Sequence, residues 1–406
     1  MRYAKPAALA AFMSAAAAAF AAFPVDSGTH FAKDALEKWV ASGELPGAVS
    51  VFCDGDRCET ACVGYADVAA KRPVTMDDVY MQCSQTKGFC GVTIAILVEE
   101  GKISLDDPVS KYLPDFKTLW VESKGPKPET RLLKKAKNVL TVRMCLNHTG
   151  GFPFELANFR TMGGWSRRMP LKSVAATAAA QPLLFEPGTK VQYSNVGIDI
   201  GAAIVETVTG MRWEDFLKKR VLDPLGMASS GFRPSGEQLA TKIEMYNLRG
   251  GKPAAWRRDN PSMQQPYSDD RVFASAGAGL WTTARDQLKF YRMLMNLGVG
   301  DNGTRILKEE TVKSILAVSS RPAGLGGYSL GLSAPVEDGD DAWFGHGGAW
   351  GTNCSVNWHK KRLKLWVVQL NGQPRPWSKA WDAAATAFFG AGADDAAVKE
   401  YTGRLK

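Results

Sequence analysis

The chain has 406 residues, of which 45% are hydrophobic and 22% charged, so its composition is that of a globular rather than a disordered protein. Its formal charge of +9 is spread widely, and the one dense basic cluster, within residues 124–137, is interrupted by glycine and proline. The cluster has no interleaved aromatic residues and no helical periodicity, so we predict a solvated loop and no nucleic-acid partner. The four histidines are scattered and no C-x-x-C pair exists, so no metal or other cofactor is expected.

The N-terminus has the pattern of an export signal. Arg2 and Lys5 precede an apolar run over residues 7–23, and residues 19–21 (AFA) form a small-x-small cleavage pattern. The run is barely long enough to span a bilayer, so a retained anchor is the alternative. We predict a signal peptide over residues 1–22, a mature chain over 23–406 and a periplasmic or secreted location, with no stable membrane span and an oligomeric state left open.

The seven cysteines suggest disulfide chemistry, although an odd number leaves at least one thiol unpaired or intermolecular. Cys53 and Cys58 flank a turn between two predicted strands, where a two-residue turn at Gly55-Asp56 places them opposite each other and favours a bridge. Cys83 and Cys90 are seven residues apart on a predicted helix, about 10 Å along its axis, which is too far for a disulfide.

The predicted elements begin with a helix over residues 31–41 and a β-hairpin over 47–52 and 60–65. A strand over 79–82 and a buried helix over 92–98 follow. Helices are predicted over 196–209, 213–221 and 282–297. The C-terminal part returns to strands over 328–332, 342–345, 353–358 and 363–370, and it closes with a helix over 377–389.

This order predicts an α+β fold, in which segments from both ends of the chain form one antiparallel sheet flanked by helices. The sheet subdomain would comprise residues 30–114 and 301–395, and a mainly helical insertion would occupy 115–300. The loops at about 115–140 and 150–170 would shape any pocket.

The first motif that suggests chemistry is the sole S-x-x-K in the chain, from Ser84 to Lys87. It lies where a strand passes into the buried helix, so Ser84 would sit at a helix N-terminus, which favours developing negative charge. One turn later, Lys87 would lie on the same helix face. A neutral Lys87 could accept the seryl proton, which requires burial to lower its pKa by an amount worth roughly 4 to 5 kcal/mol. A plain helix cap with a solvated lysine is the alternative.

The second motif is the sole Y-x-N, formed by Tyr193 and Asn195 before a predicted helix. In an extended segment the two side chains project to the same side. A phenolate at Tyr193 near Lys87 could relay a proton to the leaving group, while Asn195 binds substrate and Lys87. Alternatively, Asn195 only caps the following helix.

The third motif is His346-Gly347-Gly348 at a C-terminal strand. Its glycines would let a substrate approach the strand edge closely, so all three residues are predicted to bind substrate. The N–H groups of Ala349 and Ser84 are predicted to form an oxyanion hole.

Three further sequences resemble catalytic motifs without their context. His148-Thr149-Gly150 precedes the tyrosine motif, so we assign it a structural role. Residues 327–331 (GYSLG) match a nucleophile elbow around Ser329, but Pro335 and Gly339 follow where that motif needs a helix. Residues 155–158 (ELAN) resemble a deacylating glutamate motif at the wrong spacing.

With its three motifs in this order, the chain resembles the β-lactamase-related serine hydrolases, which include class C β-lactamases, D-alanyl-D-alanine carboxypeptidases and related esterases. The resemblance covers nearly all of residues 30–390 and includes 97–108 (LVEEGKISLDDP), 146–151 (LNHTGG), 185–188 (FEPG), 223–227 (DPLGM) and 279–286 (GLWTTARD). It implies the β-lactamase/transpeptidase-like fold, catalytic roles for Ser84, Lys87 and Tyr193, and a matching amide at Asn195.

The chain departs from true β-lactamases in its third motif, where His346 replaces the lysine that helps hold the substrate carboxylate. A mostly uncharged imidazole favours uncharged substrates. We therefore predict an exported serine hydrolase that cleaves an ester or amide, of the esterase or D-amino-acid peptidase type, acting on a small molecule or a peptidoglycan-like substrate. A class C-type β-lactamase and a non-catalytic penicillin-binding sensor are the alternatives.

Overall fold

The computed structural model describes residues 25–127, 130–156, 169–255, 273–373 and 375–390, and every structural statement below refers to these residues. The predicted signal peptide and residues 157–158 of the ELAN sequence lie outside them. The strands are β1 Val25–Asp26, β2 Gly47–Asp54, β3 Arg57–Asp67, β4 Arg72–Pro73, β5 Tyr80–Met81, β6 Trp120–Lys124, β7 Arg131–Lys135, β8 Tyr246–Arg249, β9 Lys252–Ala255, β10 Trp281–Thr282, β11 Phe344–Gly347, β12 Asn353–Asn357, β13 Arg362–Val367 and β14 Leu370–Asn371. The helices are α1 Phe31–Ala41, α2 Thr86–Glu99, α3 Val142–Leu146, α4 Leu171–Ala179, α5 Asn195–Thr209, α6 Trp213–Leu217, α7 Gly236–Ala240, α8 Ala284–Met295, α9 Glu309–Thr311 and α10 Trp377–Gly390. None of these described helices combines the length and apolarity needed to cross a bilayer.

The main sheet joins the two ends of the chain, which confirms the predicted fold class. Its strand order is β1-β3-β2-β13-β12-β11, with β4 beside β3. The pairings are antiparallel except for β1, which lies parallel to β3. The predicted subdomain bounds stay a prediction. Residues 115–300 contain helices α3 to α8 together with short strand pairs such as β6–β7 and β8–β9.

Both faces of the main sheet are covered, so its central strand β2 is buried along nearly its whole length. Val49 and Val51 face the large core beneath α2 and α8. The alternating residues Ala48 and Phe52 face a second core beneath α1 and α10. This two-sided burial explains why β2 is almost continuously apolar rather than alternating in sequence.

The β2–β3 hairpin has the predicted two-residue turn and the predicted disulfide. Cys53 pairs with Cys58 across the hairpin, with 4.1 Å between their Cα atoms, and the two are bridged. Gly55 adopts a left-handed conformation with φ of +61°, which an L side chain rarely adopts. Cys83 and Cys90 are free thiols, as their helical spacing predicted.

The strand predicted over residues 328–332 is wrong. The backbone N–H of Ser329 donates to the Leu332 carbonyl across 2.8 Å, which closes a turn. Gly331 is left-handed with φ of +73°, and a Cβ at that position would lie 2.1 Å from the Lys87 carbonyl. The segment turns because it must pass tightly against the first turn of α2.

The basic cluster is solvent-exposed as predicted, but the prediction that it forms a loop is wrong. Strands β6 and β7 pair in register from Trp120 with Lys135 to Lys124 with Arg131. The edge of β6 also pairs with Leu183, which donates its N–H to the Trp120 carbonyl across 2.7 Å. Gly125 and Pro126, which suggested a loop, follow directly after β6.

Candidate active site

The serine of the S-x-x-K motif lies just after an unusual backbone turn. Strand β5 ends at Met81, and Cys83 then adopts a left-handed conformation with φ of +51°. A 3₁₀ turn over Cys83–Gln85 leads directly into α2, and Thr86 Oγ1 donates to the Cys83 carbonyl across 2.6 Å. Ser84 is thereby presented at the start of the helix, as predicted. Left-handed backbone at a residue other than glycine is concentrated at functional sites, where surrounding structure holds it in place.

Lys87 is completely buried beside this serine. Its Nζ donates to Ser84 Oγ at 3.1 Å, to Asn195 Oδ1 at 2.7 Å and to the Gly277 carbonyl at 2.6 Å. Burial lowers the pKa of Lys87 from 10.5 to about 7 and outweighs the opposing charge of Asp199. A large part of the Lys87 population is therefore the neutral amine near neutral pH, which is the form that can accept a proton.

A buried carboxyl group lies behind this lysine. Asp199 lies on α5, one turn after Asn195, and its Oδ1 accepts from Gly277 N at 3.1 Å and Ser275 Oγ at 3.3 Å. Burial raises the pKa of Asp199, although these hydrogen bonds and the positive charge of Lys87 oppose the rise. Asp199 therefore holds the segment whose Gly277 carbonyl contacts Lys87, and its charge acts on the pKa of that lysine.

Tyr193 completes the group around the serine. Its ring centroid lies 4.7 Å from Lys87 Nζ, and its Oη is 3.4 Å from His346 Nε2. Burial raises the pKa of Tyr193 to about 12, so the group is a neutral phenol near neutral pH. This corrects the predicted phenolate: Lys87 is the group poised to accept the first proton, and Tyr193 can pass a proton as a phenol.

The imidazole of His346 lies close to the hydroxyl groups of two tyrosines. Its Nε2 is 2.8 Å from Tyr328 Oη and 3.4 Å from Tyr193 Oη, while Nδ1 contacts the Gly347 carbonyl. A carbonyl oxygen can only accept, so Nδ1 carries the proton and Nε2 accepts. Burial and the nearby charge of Lys87 lower the pKa of His346, which is therefore uncharged.

The two glycines after His346 differ in their surroundings. A Cβ at Gly348 would lie 2.1 Å from Thr352 Oγ1 and 2.4 Å from the Gln82 carbonyl, whereas a Cβ at Gly347 would meet only the Thr352 carbonyl, at 3.5 Å. Gly348 thus lets the strand end approach the turn that carries the serine.

His148 supports the site from behind. Its ring centroid lies 4.5 Å from those of Tyr193 and Tyr328, so it separates the two phenol rings. Its Nδ1 accepts from the Ser194 N–H at 3.3 Å, and burial lowers its pKa well below the usual value. These contacts agree with the structural role that the sequence predicted, at a position next to the site.

The structure therefore gathers the side chains of all three sequence motifs. The sequence analysis missed Tyr328, which belongs to the elbow-like sequence, and nothing in the sequence distinguishes it. It also missed Asp199, although a spacing of four residues after Asn195 on a helix indicates a shared face. Ser329 of the elbow-like sequence is fully buried, and its hydroxyl faces the Leu332 carbonyl.

Comparison with known proteins places this arrangement in a family. The sequence profile of the beta-lactamase family matches residues 32–387. This chain belongs to the beta-lactamase family. Protein Rv1367c of Mycobacterium tuberculosis is 31% identical to it over 282 residues, which cover 67% of each chain.

Among solved structures, EstCE1, described as a hydrolase with promiscuous acyltransferase activity, aligns with a TM-score of 0.70 and 19% identity over 87% of this chain and 97% of its own. A family VIII carboxylesterase aligns with a TM-score of 0.67 and 21% identity over 88% of this chain and 96% of its own. At these identities the two structures show a shared fold. Family membership and fold together identify the chain as a beta-lactamase-family serine hydrolase.

Proposed function

We propose that this beta-lactamase-family chain is an esterase or amidase that acts on uncharged acyl compounds through a covalent acyl-enzyme at Ser84. Lys87 accepts the seryl proton as Ser84 Oγ attacks the carbonyl carbon. Tyr193 passes that proton to the departing alcohol or amine as the acyl bond breaks. Water then attacks the Ser84 ester, and the same groups pass a proton from this water to Ser84 Oγ as the acid is released.

The observation that carries this proposal is the environment of Lys87. A solvated lysine is protonated at neutral pH and cannot act as a base. Here the amine is fully buried, 3.1 Å from Ser84 Oγ, with a pKa lowered to about 7. This arrangement supports proton transfer and disfavours the alternative of a helix cap with a solvated lysine.

The remaining parts of the site are assigned by their positions. Asn195 binds Lys87 and contacts the substrate acyl group. The N–H groups of Ser84 and Ala349 stabilise the negative charge on the carbonyl oxygen, because the close approach of Gly348 to Gln82 holds the two backbones together. His346, Gly347 and Gly348 form the strand edge along which the substrate lies.

The uncharged state of His346 supports the preference for neutral substrates. A lysine there would offer an ammonium to a substrate carboxylate, whereas Nε2 of His346 is an acceptor held by Tyr328. An anionic lactam finds no positive charge on this side chain. The printed activity of the carboxylesterase neighbour points the same way.

Covalent labelling tests the nucleophile. A fluorophosphonate probe should label the wild-type chain and fail to label Ser84→Ala. The matched control is Ser329→Ala, because Ser329 is fully buried with its hydroxyl facing the Leu332 carbonyl, and this variant should be labelled as strongly as wild type. An adduct that peptide mapping places on Ser329 would overturn the assignment.

A substrate panel tests the reaction class. Steady-state rates should be higher for short-chain p-nitrophenyl esters than for a chromogenic cephalosporin. D-amino-acid p-nitroanilides in the same panel test for amide cleavage. A single burst of product with no steady turnover would instead indicate a sensor that acylates and stops. Turnover of the cephalosporin far above that of every ester would establish a β-lactamase.

We further propose that the protein is exported, on the basis of the charged and apolar pattern at its N-terminus. Intact-mass analysis of protein recovered from the periplasm or medium should place the mature N-terminus near residues 20–24. Recovery of a chain that retains residue 1 in the cell membrane would contradict cleavage and support the anchor alternative.

A further inference from the structure

The β6–β7 hairpin turns two different faces to its surroundings. Because Trp120 pairs with Lys135 and Glu122 with Leu133, alternate residues of both strands share a side. The side that includes Val121 and Lys134 faces the body of the protein, since Val121 is buried and Lys134 lies 3.5 Å from Glu186. The opposite side, which we call the outer hairpin face, consists of Trp120, Glu122, Lys124, Arg131, Leu133 and Lys135.

The outer hairpin face exposes large apolar side chains. Trp120 is 47% exposed and Leu133 is 54% exposed. The apolar surface continues onto the adjoining segment, where Leu184 is 46% exposed. Isolated exposed residues of this kind need no explanation, but these are grouped on one hairpin and the segment paired with it.

The same face is cationic. Lys124, Arg131 and Lys135 against Glu122 give it a formal charge of +2. Arg131 neutralises Glu122 at 2.7 Å. Within the part of the chain that the structure describes, no carboxylate oxygen lies within 4 Å of the ammonium groups of Lys124 or Lys135.

We propose that the outer hairpin face docks on the surface of an anionic lipid bilayer. Tryptophan and leucine would enter the interface between headgroups and acyl chains, and the lysines would face the phosphates. Charge complementarity favours this occupant over a second copy of the chain, because two faces that each carry a formal charge of +2 repel each other. A polyanion without an apolar phase would leave Trp120 and Leu133 in water. The inference does not depend on the proposed hydrolysis.

Vesicle co-sedimentation tests the proposal. The purified chain should bind vesicles that contain 30% phosphatidylglycerol more tightly than neutral phosphatidylcholine vesicles, and this difference should shrink as NaCl rises. The apolar run at residues 7–23 is the same in every variant. Comparing the difference in affinity between anionic and neutral vesicles therefore removes its contribution. Lys124→Glu/Lys135→Glu should reduce the affinity for anionic vesicles by about tenfold or more, since each surface lysine contributes on the order of a fivefold change. Trp120→Ser/Leu133→Ser should also weaken binding.

Two matched controls separate the hairpin from general charge and hydrophobicity. Lys219→Glu/Lys252→Glu makes the same change in net charge elsewhere, and Val336→Ser removes another exposed apolar side chain; both should bind like wild type. Equal loss in the two charge variants would overturn the hairpin assignment. Concentration-dependent dimerisation lost in Trp120→Ser/Leu133→Ser, with unchanged vesicle binding, would assign the face to a second copy. Circular dichroism and ester turnover by each variant verify that it is folded.

Discussion

Tyr328 donates its phenolic proton to Nε2 of His346 across 2.8 Å. The opposite ring nitrogen donates to the Gly347 carbonyl, so both nitrogens are committed and the ring is held as the neutral tautomer. Burial and the nearby charge of Lys87 disfavour protonation of Nε2, since they lower the pKa of His346. The pair therefore removes positive charge from the position where true β-lactamases place a lysine.

Replacing this histidine should change the preferred substrate. His346→Lys should raise kcat/KM for a penicillin by about ten- to a hundredfold relative to an uncharged aryl ester, because a charge-assisted hydrogen bond contributes roughly 1.5 to 3 kcal/mol. His346→Gln is the neutral control and should not raise the penicillin rate. The specificity argument fails if wild type already cleaves penicillins far faster than esters.

Lys87 and Tyr193 should behave as one unit. Lys87 Nζ donates to Ser84 Oγ and lies 4.7 Å from the Tyr193 ring centroid, so we expect either loss to interrupt the same proton transfer. Lys87→Ala and Tyr193→Phe should each slow acylation by orders of magnitude, and the double variant should be little slower than the worse single variant. Pre-steady-state burst kinetics with a p-nitrophenyl ester measures acylation directly. Near-normal acylation by Lys87→Ala would remove its role as the base.

The pH dependence should report the lysine. Lys87 accepts a proton only as the neutral amine, and its pKa lies at about 7, so kcat/KM should rise as the pH increases through that region. Tyr193, with a pKa raised to about 12, stays protonated across the range. A rate that stays flat from pH 5 to 9 would show that no group with this pKa controls acylation.

Asp199→Asn should shift the rise of kcat/KM with pH, the rising limb of the profile, to lower pH. The carboxylate of Asp199 raises the pKa of Lys87, so removing the negative charge should lower the pKa further. The asparagine can still accept from Gly277 N, which keeps the segment in place. Glu206→Gln, on the same helix but outside the contacts of Lys87, is the control and should leave the limb unchanged. If kcat/KM of Asp199→Asn rises at the same pH as that of wild type, the charge of Asp199 does not act on Lys87.

Substitution by alanine should destabilise the protein at Gly348 and leave its stability unchanged at Gly347. In Gly348→Ala the new Cβ would lie 2.4 Å from the Gln82 carbonyl, so the strand end must move away from the serine turn. We expect a loss of roughly 1 to 3 kcal/mol in the free energy of unfolding, together with a large fall in kcat. Gly347→Ala makes only an ordinary 3.5 Å contact and should fold like wild type. Thermal melts and ester turnover compare the pair.

Local sequence patterns were sufficient for much of the fold. The apolar spacing of α1, the turn residues between β2 and β3 and the buried run of α2 each depend on near neighbours, and all three elements were predicted. The Cys53–Cys58 disulfide follows from the same hairpin. Motif order and the long family-like stretches were enough to recognise the family, because those residues are contiguous in the chain.

Only the tertiary structure decided what surrounds the reacting groups. The pKa of Lys87 depends on complete burial and on the charge of Asp199, which lies on the remote helix α5. Tyr328 reaches His346 because residues 328–332, which were predicted as a strand, form a turn that packs on α2. The basic cluster lies on a hairpin whose edge pairs with Leu183. Local propensity carries no information about such partners, since desolvation and hydrogen bonding act through space between segments that are remote along the chain.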